Sequence, residues 1–166
     1  MPELETTPVK SGLRVAMEAR DLPAIVDTFA PDAEFWSPLT AKLTFKGREE
    51  ITAITAVILD VFEDFHYTDE LVGERVGFLV SRARIDGVDI EMVDHIRYNR
   101  DGKIAEFTVF FRPLPAAAVA LRVIGSALGR RKSPTRAAVI STLARPLGFM
   151  TKLGDEIGVR LIRSSV

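Results

Sequence analysis

The 166-residue chain has no cysteine, 22 Lys and Arg against 23 Asp and Glu, and 47% hydrophobic residues. A chain of this length and hydrophobicity can bury one substantial core, whereas two separate domains would each be marginal. The lack of cysteine excludes disulfides, thiolate nucleophiles and zinc sites built on cysteine, and the two histidines, His66 and His95, are too far apart for a helical zinc motif. We therefore expect neither a metal nor another cofactor.

Charge divides the chain into two parts. Residues 1–112 carry 13 Lys and Arg and 21 Asp and Glu, a balance of −8, whereas residues 113–166 carry 9 and 2, a balance of +7. The N-terminus has neither the basic start nor the apolar run of a signal peptide, which favours a cytoplasmic protein. No phosphate-binding loop occurs, and the basic residues are not interleaved with aromatic ones, so nucleic acid is not an expected partner.

Helices are predicted to dominate the first part of the chain. Apolar residues recur at helical spacing over 9–20, and a second short helix is predicted within 21–33. Short strands are predicted at 33–38 and 42–47. A longer amphipathic helix follows over 48–62.

After this helix the period of the apolar residues changes to two. Extended runs cover 65–73, 75–86 and 88–99, and a final strand covers 104–112. Asp-Gly pairs precede the third and fourth of these runs and are typical of hairpin turns. The order of elements predicts an α+β fold in which helices pack on one face of a curved antiparallel sheet.

The third of these runs places one carboxylate on an apolar face. By strand parity Asp94 shares its face with Ile90, Met92, Ile96 and Tyr98. An uncompensated buried charge is among the most costly features that a fold can contain. We therefore expect desolvation to favour the neutral acid and to raise the pKa of Asp94.

A purely structural role for Asp94 is the alternative. Its carboxyl group would then be tied to a neighbouring backbone amide or to an arginine such as Arg82 or Arg84, because structural networks also perturb such groups. His95 has the opposite parity and is expected on the surface or in an interface.

Three segments of the sequence resemble a known family. They read LRVAMEARDLPAIVDTFAPDAEF, FKGREEI and VDHIRYNRDGKIAEFTVFF. Over residues 9–112 the chain resembles the nuclear transport factor 2-like superfamily, specifically its SnoaL-like polyketide cyclase and ketosteroid isomerase branch. The resemblance implies a SnoaL-like domain over 1–115, formed as a cone-shaped α+β barrel with a blind pocket. It also implies a small apolar ligand and a homodimer.

The resemblance carries over only part of the isomerase machinery. Asp94 falls where ketosteroid isomerases keep an aspartic acid protonated, so that it donates a hydrogen bond to a substrate oxygen. Leu13 stands where that family has its tyrosine donor, and Ser37, before Pro38, stands where it has its general base. Val109 stands where limonene epoxide hydrolases place an aspartate. Neither reaction, run by those enzymes' own residues, is therefore expected.

Parity and resemblance together define a candidate ligand pocket around Asp94, the candidate group for proton transfer or hydrogen-bond donation. The other candidate lining residues are Leu13, Ser37, Tyr67, Ser81, Met92, Phe107 and Phe111. Two functions are compatible with this pocket: a cofactor-independent enzyme of the isomerase or cyclase type, or a non-catalytic binding or assembly module of the same fold. The missing base favours the second function, and Asp94 favours the first.

Residues 116–166 are expected to form a basic, apolar helical extension that lies mostly beyond the resemblance. Two or three helices are predicted to pack over the barrel or across a partner and to narrow the pocket mouth. Gly125, Gly129 and the break at Arg145-Pro146 favour such a compact cap. Association with an anionic membrane surface is the alternative, because basic residues flanking apolar helical faces also suit lipid.

Overall fold

The computed structural model describes most of the chain. The described residues are 11–40 and 42–133, followed by 135, 138, 139, 141–144, 146, 147, 150, 151, 153, 154 and 157. The start of the first predicted helix, at residues 9 and 10, and the end of the predicted extension, after residue 157, lie outside this part of the chain.

Two short helices come first, as the sequence predicts. Helix α1 spans Gly12–Glu18 and helix α2 spans Leu22–Asp27. Each helix is capped by the residue before it, because the side chains of Ser11 and Asp21 accept hydrogen bonds from backbone amides of the first turn. Proline in the first turn of α2 costs no hydrogen bond.

The longer helix α3 spans Gly47–Val61 and forms the back of the core. The helix is amphipathic, as the sequence predicts, and its buried residues are Ile51, Ile54, Thr55 and Val57. It packs against the first strand of the sheet and against α2.

Six strands form one curved, unclosed sheet in the order β2-β1-β6-β5-β4-β3. The strands are β1 (Phe29–Trp36), β2 (Thr44–Lys46), β3 (Glu63–Val72), β4 (Val76–Ile85), β5 (Val88–Tyr98) and β6 (Ile104–Arg112). Strands β3 to β6 form the predicted antiparallel meander.

The sheet departs from a wholly antiparallel arrangement at one pair. Strand β1 runs parallel to β6 because the chain leaves β1 through α3 and the whole meander before β6 returns beside it in the same direction. The sheet also does not close into a complete barrel, since β2 and β3 remain its two edges.

Burial alternates along the meander, so that one face of the sheet belongs to the core. In β4, Leu79, Ser81, Ala83 and Ile85 are buried while the residues between them are more exposed. The same alternation runs through β5 and β6. The helices lie over this face, so a cavity between sheet and helices is the natural place for a ligand.

The C-terminal extension covers the core with helix α4, which spans Leu114–Lys132. Helix α4 packs against α3, β4, β5 and β6. Arg122 forms an ion pair with Asp86 in the β4–β5 turn, and Arg131 donates to the carbonyl of Ala53 at 2.9 Å. Helix α4 is therefore held on the body of the chain by apolar packing, one ion pair and one hydrogen bond.

The described positions after residue 133 are helical up to residue 157. The predicted helix break includes Arg145, which lies outside the described residues. Within the described part of the chain, no helix is both long enough and apolar enough to cross a membrane.

Candidate functional site

A cavity opens between the sheet and the helices. Its volume is about 120 Å³, counted as the space open to the centres of water-sized molecules. A single buried water needs only roughly 10–15 Å³. Most of its lining is apolar, and aromatic side chains of β1, β3 and β6 contribute much of it. Leu43 lines the cavity and is also 42% exposed, so the cavity meets solvent near the β1–β2 loop.

Asp94 lies in the wall of this cavity and is 5% exposed. The hydroxyl of Tyr67, which is 4% exposed, donates to Asp94 Oδ2 at 3.3 Å. This is the only hydrogen bond that the Asp94 side chain makes among the described residues. The second carboxyl oxygen is therefore free to interact with a ligand.

The register of three neighbouring strands brings these two groups together. Asp94 in β5 lies opposite Leu79 in β4, and Tyr67 in β3 lies opposite Ser81 in β4. Tyr67 therefore reaches diagonally across β4 to the carboxyl group. Its long, rigid ring makes this possible, since diagonal neighbours two strands apart lie beyond the reach of short side chains.

Burial sets the protonation state of the pair. Desolvation raises the pKa of Asp94 to about 7, although the hydrogen bond from Tyr67 acts in the opposite direction. Burial, followed by the nearby Asp94 carboxyl group, raises the pKa of the Tyr67 hydroxyl well above its ordinary value. Tyr67 thus remains a neutral donor, and Asp94 retains its proton up to about neutral pH.

Arg14 holds Tyr67 in place from the helical side. Its guanidinium donates to the Tyr67 carbonyl at 2.9 Å and lies 6.0 Å from the centre of the Tyr67 ring. Arg14 also pairs with Glu18 and Glu70. Helix α1 is therefore tied to β3 at the residue that contacts Asp94.

The two serine hydroxyl groups of the cavity lining differ in their bonding. The Ser37 hydroxyl accepts a hydrogen bond from the Leu39 amide at 3.2 Å, which fixes it in the local turn. The Ser81 hydroxyl is buried and has no hydrogen-bond partner among the described residues. In the described part of the chain, neither serine hydroxyl makes a hydrogen bond to a group that would activate it as a base.

Comparison with known proteins places this fold and cavity in a family. The SnoaL-like domain family matches residues 11–107. The chain belongs to the SnoaL-like family. Among curated proteins no match was found.

Solved structures agree with this assignment. An uncharacterized protein with a cystatin-like fold from Silicibacter pomeroyi is 23% identical, with a TM-score of 0.65 over 75% of this chain and 86% of that chain. A steroid delta-isomerase from Pseudomonas aeruginosa is 28% identical, with a TM-score of 0.63 over 78% of this chain and 98% of that one. An NTF-2 like protein of unknown function from Burkholderia xenovorans is 18% identical, with a TM-score of 0.54 over 60% and 77%. The predicted family and α+β fold class are thereby confirmed.

All the residues that the sequence nominates for the pocket of this SnoaL-like protein lie around the cavity. They are Asp94, Leu13, Ser37, Tyr67, Ser81, Met92, Phe107 and Phe111. Phe107 also stacks on Phe35 at 5.1 Å, so it belongs to the aromatic core as well as to the cavity wall. The role of these residues in ligand binding stays a prediction.

The predicted arginine partners of Asp94 lie on the other face of the sheet. Arg82 pairs with Glu91, and Arg84 pairs with Asp64 and Asp89. The alternative in which Arg82 or Arg84 neutralises Asp94 is therefore wrong. Strand parity explains the result, because even-numbered residues of β4 point away from the cavity.

His95 also lies on the outer face, as its parity predicts. Its ring stacks on Phe78 at 4.9 Å with an interplanar angle of 12°. Phe78 is itself 43% exposed and Phe110, on the same face, is 58% exposed. The outer face of the sheet therefore carries a partly exposed apolar patch.

Sequence reasoning missed several residues of the site. Helix α4 contributes Leu121, Ile124, Gly125 and Leu128 to the cavity lining. The sequence predicts a helix that narrows the pocket. It does not show which face of that helix lines the cavity, because nearly every position is apolar. Thr55 of α3 could have been found, since it follows Ile51 by one helical turn.

We predict that folding stability falls as pH rises from about 4 to about 7. In the unfolded chain Asp94 ionises near its ordinary pKa of 3.8, whereas the folded chain holds the proton until about pH 7. The folded state binds more protons in this interval, so the free energy of unfolding falls with pH, by at most about 4 kcal/mol. The contribution is complete below pH 3.8 and lost above pH 7.

Urea unfolding of the wild type and of Asp94→Asn at several pH values measures this effect. The difference between the two proteins should change across the interval, because the amide does not titrate. A difference that stays constant with pH, or a carboxyl carbon NMR titration that gives Asp94 an ordinary or lowered pKa, would contradict the prediction.

Proposed function

We propose that this SnoaL-like protein binds a small apolar molecule that carries a carbonyl or hydroxyl oxygen. The observation that carries the proposal is Asp94, a buried carboxyl group that faces an otherwise apolar cavity with one oxygen uncommitted. The apolar wall supplies affinity through burial of the ligand, and Asp94 fixes its orientation. The ligand oxygen accepts a hydrogen bond from the protonated carboxyl group.

Tyr67 has a supporting role in this proposal. Its hydroxyl donates to Oδ2, so the proton of Asp94 belongs on the other oxygen, where it can be presented to the ligand. A carbonyl oxygen that accepts a hydrogen bond from this carboxyl group is polarised. The polarisation assists removal of a proton from the neighbouring carbon. Any catalysis would therefore be an isomerisation or cyclisation that starts from an enol or enolate and uses no cofactor.

Binding of acetonaphthone, an apolar aromatic ketone, tests the proposal, with ethylnaphthalene as a ligand of similar shape that lacks the oxygen. Below pH 7 the ketone should bind roughly two- to tenfold more tightly than the hydrocarbon, the value of one hydrogen bond. Isothermal titration calorimetry measures both affinities. Asp94→Ala should abolish the preference for the ketone.

The pH dependence identifies the donor. The preference should fade above pH 7 in the wild type, and in Tyr67→Phe it should persist to higher pH, because the Tyr67 hydrogen bond lowers the pKa of Asp94. Tyr98→Phe is the matched control, since Tyr98 does not line the cavity. Equal affinities for the two ligands in the wild type would refute Asp94 as the ligand donor.

The similarity to a steroid delta-isomerase suggests one reaction to examine. Leu13 and Ser37 both lie in the cavity wall, and neither can abstract a proton from a substrate carbon. We predict that isomerisation of a Δ5-3-ketosteroid is slower than in an enzyme with a general base by about 10²–10⁴-fold. Formation of the conjugated product, followed by ultraviolet absorbance, measures the rate.

Two variants sharpen this test. Ser37→Asp returns a carboxylate to the cavity wall and should raise the rate. Brisk conversion by the wild type that is lost in Asp94→Asn would show that the cavity catalyses the reaction through Asp94 without a base at position 13 or 37, and the prediction would be wrong. If neither the wild type nor Asp94→Asn converts the steroid, the result favours the second candidate function, a non-catalytic ligand-binding module. The missing base also supports that function.

We also propose that the protein forms a homodimer through the outer face of the sheet. Leu71, Phe78 and Phe110 are exposed there around His95, and residues of both charges flank them. A two-fold related copy would cover the apolar side chains and pair the charges. Light scattering should give twice the 18.3 kDa mass of one chain.

The variant Phe110→Asp should convert this dimer to a monomer. Val15→Asp is the control, because Val15 is 53% exposed on α1, away from the sheet. A wild type that is monomeric at micromolar concentration, or a Phe110→Asp protein that remains dimeric, would rule out this interface.

A further inference from the structure

An exposed apolar stripe runs along the helical segment that follows α4. Its members are Val139, Leu143, Leu147, Met150, Leu153 and Ile157, which are from 43% to 74% exposed. They recur in steps of three or four residues, and each of them is helical. On a helix of 3.6 residues per turn, positions with this spacing fall within about a third of the circumference.

The segment contacts the rest of the protein elsewhere on its circumference. Ala144, which lies off the stripe, is only 7% exposed. The stripe is therefore not a face that turns toward the core of the same chain. Single exposed apolar residues are common on protein surfaces, but an aligned row of six is typical of an interaction site.

We propose that this stripe docks the protein on an anionic lipid surface. Basic residues flank the stripe in the sequence: residues 130–138 hold four Lys and Arg and residues 158–166 hold two, with no Asp or Glu in either, whereas residues 139–157 hold two of each sign. An apolar helical face flanked by basic residues is the pattern of helices that lie in the membrane interface. The apolar side chains enter the boundary of the acyl chains, and the basic residues attract the acidic headgroups.

Charge argues against a second copy of the chain as the occupant of the stripe. In a two-fold symmetric dimer the same patch meets itself, so the basic residues that flank the stripe in one copy would meet those of the other. Like charges at short range oppose such an interface. An anionic lipid surface offers the opposite charge and an apolar layer at once.

Flotation of the full chain with vesicles tests the proposal. The wild type should float with vesicles of phosphatidylcholine and phosphatidylglycerol, and much less with phosphatidylcholine alone. The double variant Leu143→Asp/Met150→Asp should reduce the bound fraction about tenfold or more, because it places two carboxylates in the apolar face. These side chains are 74% and 68% exposed, so the variant should keep the melting temperature of the wild type.

Two controls separate specific docking from a general effect of charge. Leu114→Asp alters a leucine that is 68% exposed at the start of α4, outside the stripe, and it should float like the wild type. Raising the salt concentration should weaken flotation of the wild type, since it screens the attraction to the headgroups.

Three outcomes would overturn the proposal. The wild type would fail to float with the anionic vesicles at low salt, or the double variant would float as well as the wild type. In the third, the double variant would change the mass of the protein from dimer to monomer while the wild type does not float. That result would assign the stripe to a contact between copies.

Discussion

The hydrogen bond from Tyr67 to Asp94 is the interaction on which the interpretation of this protein depends. A carboxyl group so deeply buried among apolar side chains is tolerable only when it is neutral or well paired, and among the described residues it has one neutral donor and no cation. The cavity wall therefore holds a weak acid that is still protonated near neutral pH. Such a group can donate a hydrogen bond, which a carboxylate on the surface cannot do.

The cavity that surrounds this acid is not formed only by the residues that match the SnoaL-like domain. The match ends at residue 107, but α4 begins at Leu114 and contributes four residues to the lining. The wall that α4 supplies therefore lies outside the part of the chain that the family model matches. Ligand preference is expected to depend on this wall, because apolar pockets select their ligands largely by shape.

The sequence predicts the local features of the site better than its long-range geometry. Strand parity correctly assigns Asp94 and Ser81 to the inside and His95 to the outside, because each strand repeats with a fixed period of two. The contact between Tyr67 and Asp94 could not be predicted, since it depends on the registers of two strand pairs and on an irregularity next to Tyr67. The parallel pairing of β1 with β6 and the role of Arg14 likewise depend on residues far apart in the chain.

The C-terminal extension links the proposed ligand cavity with the proposed lipid-docking stripe. Helix α4 forms one wall of the cavity, and the chain that continues from it carries the exposed apolar stripe. A ligand apolar enough to fill the cavity also partitions into lipid, so a protein docked on a membrane would meet it at a higher local concentration than in water. The uneven charge of the chain would then orient the protein: the basic residues that flank the stripe would be attracted to acidic headgroups, while the acidic residues 1–112, with a balance of −8, would be repelled from them.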